Sequence, residues 1–74
     1  MDAATIATIK ALAEKDYDIR KLWGEHLALE GEIERLQSRR SHTSEEEVQL
    51  KELQKQKLLG KDKLFERMRA LGHH

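Results

Sequence analysis

The 74-residue sequence contains no cysteine and no proline, and only one Trp, one Tyr and one Phe. Without cysteine there is no disulfide and no thiolate metal site to staple a chain this small. Without proline nothing sets a hard stop inside a helix. No apolar run approaches the roughly 20 residues of a membrane span. The first thirteen residues begin with acidic Asp2 and lack a basic leader followed by an apolar stretch, so no secretory signal is expected and the expected location is cytoplasmic. What remains is rich in Ala, Leu, Glu, Lys and Arg, the composition of long helices and coiled coils.

Charge is balanced overall and divided along the chain. Residues 1–38 carry five Lys/Arg against eight Asp/Glu, residues 39–47 two against three, and residues 48–74 seven against three. An acidic half followed by a basic half points to pairing within the fold before it points to an external polyanion.

In the first half, Ile19, Leu22, His26, Leu29, Ile33 and Leu36 recur at spacings of three and four, one helical stripe with a histidine at its middle. The polar run SRRSHTSEEE marks a turn. Ser44 and Glu47 have capping-box spacing, which starts a second helix there, and Gly72 stands ready to end it. The second stripe reads Leu50, Leu53, Lys57, Lys61, Leu64, Met68 and Leu71. The expected fold is all-α: one domain, an antiparallel two-helix hairpin with coiled-coil character, assembled into a homo-oligomeric bundle. Helix one covers about 3–39, the turn 40–44 and helix two about 45–71. The stripe drifts in phase between Ile9 and Ile19, which leaves the continuity of helix one open.

Folding about residue 43 sets Ile33 against Leu53, Leu29 against Lys57, His26 against Gly60 and Lys61, and Ile19 against Met68. In that register Lys57 reaches Glu30 and Lys61 reaches toward Glu25, their methylenes covering the layer beneath. His26, Lys57, Gly60 and Lys61 are therefore assigned to register and packing, with the His26 or Trp23 ring filling the volume that Gly60 leaves. Residues 1–14 overhang such a hairpin, and a helix that short is marginal alone. Ile6, Ile9, Leu12, Trp23 and Leu27 are the expected contact with a second copy or another protein. Tyr17, Gly24 and Gly31 recur every seven residues on a further side of helix one, where small residues admit a neighbouring helix.

Two patterns together resemble the YdcH-like family of small bacterial proteins of unassigned function. One is LWGEHLALEGEIERL at residues 22–36; the other is LKELQKQKLLGKDKL at residues 50–64, with Leu50, Lys51, Lys55, Lys57, Leu58, Lys61 and Asp62 in the family's order. The resemblance implies a helical hairpin and brings no activity with it. Gly60 departs from the family pattern, in which a leucine is usual.

Chemistry-bearing motifs are scarce. No nucleophile, phosphate-cradling loop or carboxylate pair stands in a recognisable context, so no catalytic residue and no cofactor are assigned and an enzyme is not expected. His26 and Glu30 offer two ligands from one face where a structural zinc wants four, so no metal is assigned. Lys51, Lys55, Lys63, Arg67 and Arg69 form a basic face that makes nucleic-acid binding the alternative function. An acidic first helix and the lack of an aromatic among these cations argue against it. Membrane association is not expected. His73 and His74 have the look of a tag remnant and carry no weight.

Overall fold

A computed structural model describes residues 1–72; the reading of His73 and His74 falls outside them. Three helices follow one another: α1 (Ala3–Ala13), α2 (Tyr17–Gln37) and α3 (Ser44–Ala70), with no strand among the described residues. Each start is capped by a side-chain oxygen. Asp2 accepts from the Thr5 amide at 2.8 Å and Asp16 from the Ile19 amide at 3.0 Å. At α3 the capping box is formed by Thr43 and Glu46, one residue earlier than the Ser44–Glu47 pair the spacing suggested. Thr43 is extended while Ser44 is already helical, and Glu46 is further held by Arg39. At the far end Gly72 adopts φ +88°, the left-handed conformation that ends a helix without Cβ strain.

Helices α2 and α3 form the expected antiparallel hairpin, joined through residues 38–43. Its long axis, in a molecule of 43 × 19 × 18 Å, is set by the 27 residues of α3. Ile33 and Leu53 are buried in the two-helix part, and the Lys57 ammonium stands 3.6 Å from Glu30, as the register requires.

The first helix is not one rod. It breaks at residues 14–16, and α1 folds back on α2. Ile9, which the sequence left to a second copy, is fully buried with Ile19, Leu64 and Met68 of its own chain, and Leu12, Ala13, Leu22, Trp23 and Phe65 pack around them. The overhang is thus part of the core, because turning back buries its apolar stripe without a partner.

The break is held from both sides. Arg20 donates to the carbonyl oxygens of Ala13 at 2.9 Å and Glu14 at 3.4 Å, satisfying the end of α1. Arg67 of α3 donates two bonds to Asp16, at 2.7 and 3.1 Å, while Asp16 caps α2. The guanidinium of Arg67, and after it the backbone amide of Ile19, hold the Asp16 carboxyl below its ordinary pKa; Asp16 in turn raises that of Arg67.

Candidate functional site

Where the N-terminal part of α1 lies against the hairpin, the three helices border a half-open cavity of about 420 Å³. Its apolar walls are Met1, Ile6, Trp23 and Leu27; its polar ones are Lys10, His26, Glu30, Lys57 and Lys61. Both lysines that interrupt the α3 stripe therefore open onto it. Lys57 shares Glu30 with His26, whose Nε2 lies 2.8 Å from the same Oε1. Lys61 does not reach Glu25. Its ammonium sits 5.9 Å from the centre of the Phe65 ring, one turn further along α3, in a cation–π arrangement.

His26 is only 4% exposed and stacks on Trp23, with ring centres 5.4 Å apart and planes inclined by 16°. Nε2 donates to Glu30, while Nδ1 is buried without a hydrogen-bond partner. Stacking also corrects the expectation for Gly60. Neither ring enters the space beside it, and a Cβ there would meet nothing within 4 Å. Gly60 instead borders a second hollow of about 240 Å³ on the other side of His26, with Leu22, Leu29 and Leu59.

Of the expected contact residues, Ile9 is buried, Leu12 packs against the core, Ile6 and Trp23 line the cavity half-buried, and Leu27 is 47% exposed. One uncovered face is the outer side of α2. Tyr17 is 69% exposed, Ala28 is exposed, and neither Gly24 nor Gly31 has any atom within 4 Å of where a Cβ would stand. On α3, Val48, Leu58 and Leu59 are exposed as well; sequence reasoning passed over Val48 and Leu59, although both fall off the buried stripe by simple helical phase.

The basic set is divided. Lys51, Lys55 and Arg69 are exposed. Arg67 is engaged by Asp16 and stands 3.7 Å from Asp18, and Lys63 lines a shallow groove with Asp18, Glu25 and Glu66. Lys10 and Met1, missed as cavity residues, became so only because α1 turns back. Among the described residues no cluster of three or more metal-ligating side chains occurs, and no helix is long and apolar enough to cross a membrane.

No curated protein and no solved structure matches the chain. Residues 19–68, the hairpin without α1, match the model of a family described as a protein of unknown function (DUF465). That match covers more than half of the sequence, the YdcH-like resemblance is consistent with it, and the chain belongs to this family.

Proposed function

We propose that the chain is a non-enzymatic helix-association module that binds a second copy of itself through the outer face of α2. The reading is supported by one observation above the rest: Gly24 and Gly31 have open space over them, so nothing inside the chain requires their lack of a side chain. Each glycine costs about 0.8–1 kcal/mol of helix propensity relative to alanine. A neighbouring helix approaching closely between Tyr17, Leu27 and Ala28 would offset that loss and cover the exposed apolar atoms. Because Ile9 is buried within its own chain, the contact proposed here draws on Leu27 and the glycine face of α2 in place of Ile9. A cytoplasmic setting belongs to the same reading, in keeping with the charged, cysteine-free composition.

Sedimentation equilibrium tests it. The wild-type chain is expected to associate reversibly as its concentration rises, and Gly31→Leu to stay monomeric while remaining as helical by circular dichroism. A wild-type chain that is still monomeric at about 1 mM, where even a weak dimer would form, overturns the proposal.

A further inference from the structure

The lysines of the cavity exceed its carboxylates. Lys10, Lys57 and Lys61 face a single Glu30, and Glu30 is already shared between His26 and Lys57. Neither Lys10 nor Lys61 forms an ion pair among the described residues. Two lysines without a counter-charge thus line a space whose other walls include Met1, Ile6, Trp23, His26 and Leu27. The volume, about 420 Å³, lies within the range of small-molecule sites, which pair apolar walls with a few polar groups that fix orientation. Leucine at position 61 would close the stripe more cheaply than a lysine, whose charge resists desolvation. A lysine there suits a site that holds an anion.

We propose that this cavity binds a small amphipathic organic carboxylate, with Lys10 and Lys61 on the carboxylate and Trp23, Ile6 and Leu27 around the apolar body. Lys57 stays with Glu30, which leaves the two unpaired cations to the ligand. The site requires α1, because Lys10 and Ile6 come from it, and α1 lies outside the segment that matches the family. Binding is therefore a property of this chain and not of the hairpin alone. Leu27 borders both this cavity and the association face of α2, whereas Gly31 borders the face alone, so Gly31→Leu should keep binding intact.

Trp23 is the only tryptophan and lines the cavity, so its fluorescence reports binding directly. Octanoate and 2-naphthoate, titrated separately at low salt, are expected to give saturable changes with half-saturation at or below about 1 mM. The neutral alcohols of the same carbon skeletons should bind about tenfold more weakly, and acetate should give no change. Lys10→Gln and Lys61→Gln should each weaken the carboxylates about fivefold. Lys51→Gln, on the exposed face away from the cavity, should not. Added salt should weaken binding of the carboxylates and leave the alcohols unaffected. Whichever acid binds more tightly identifies the body, chain or ring, that the walls prefer. Urea melts of each variant separate a lost contact from a lost fold. No saturable change with either acid overturns the proposal, as does equal binding of acids and alcohols, or an equal loss in Lys51→Gln.

Discussion

Gly60 leaves out a side chain in the middle of a 27-residue helix where nothing stands in the way of one. Gly60→Ala is expected to raise stability by about 0.8–1 kcal/mol, read as a higher urea midpoint with an unchanged slope. At Gly72 the same replacement would be strained, since φ there is +88°. The contrast shows what the residues disclose by themselves. That Lys57 meets Glu30 followed from the hairpin register, because an antiparallel pair with apolar layers at both ends admits few alignments. That Gly60 stays unfilled did not follow, because Trp23 and His26 satisfy each other by stacking, a choice set by side-chain rotamers and not by spacing.

At the scale of elements the least legible feature was the break between α1 and α2. Its signals were present: a stripe out of phase between Ile9 and Ile19, and Asp16 three residues before Ile19 at cap spacing. Yet Glu14 and Lys15 favour helix, no Gly or Pro marks the joint, and the bond that fixes it comes from Arg67, 51 positions away. Acid tests this joint. Asp16 has a lowered pKa in the fold, first through Arg67 and then through the Ile19 amide, so the stability it contributes is fully present above the ordinary value of 3.8. That contribution is lost as pH falls through the lower value of the folded state. Asp16→Asn keeps the cap and removes the charge, so it should melt at a lower temperature than wild type at pH 7. The difference should shrink as pH drops below 3.8. Thermal melts across that window measure it, and a constant difference would show that charge at Asp16 is not what holds the joint.

For the molecule as a whole, one buried cluster of Ile9, Ile19, Leu64 and Met68 draws on all three helices. Ile9→Ala is expected to remove about 2–5 kcal/mol, comparable to the whole stability of a domain this size. Because the cluster is shared, helicity and Trp23 fluorescence should fall together in one transition. Two separate transitions would mean that α1 frays alone. The all-helical hairpin was readable from periodicity and the turn, since both are local. The third helix was not, because it depends on whether thirteen residues find cover inside the chain or outside it, a competition that no local pattern decides.

One further property follows from the uneven thickness of the molecule. Around Asp16 there are three layers and the fully buried side chains; around residues 38–43 there are two, with Ile33 and Leu53 the nearest buried residues. Thermal opening therefore has a direction. The rods part first at the thin tip and unzip toward the thick base, so the joint at Asp16 and the buried cluster around Ile19 are the last places at which the chain loses its shape.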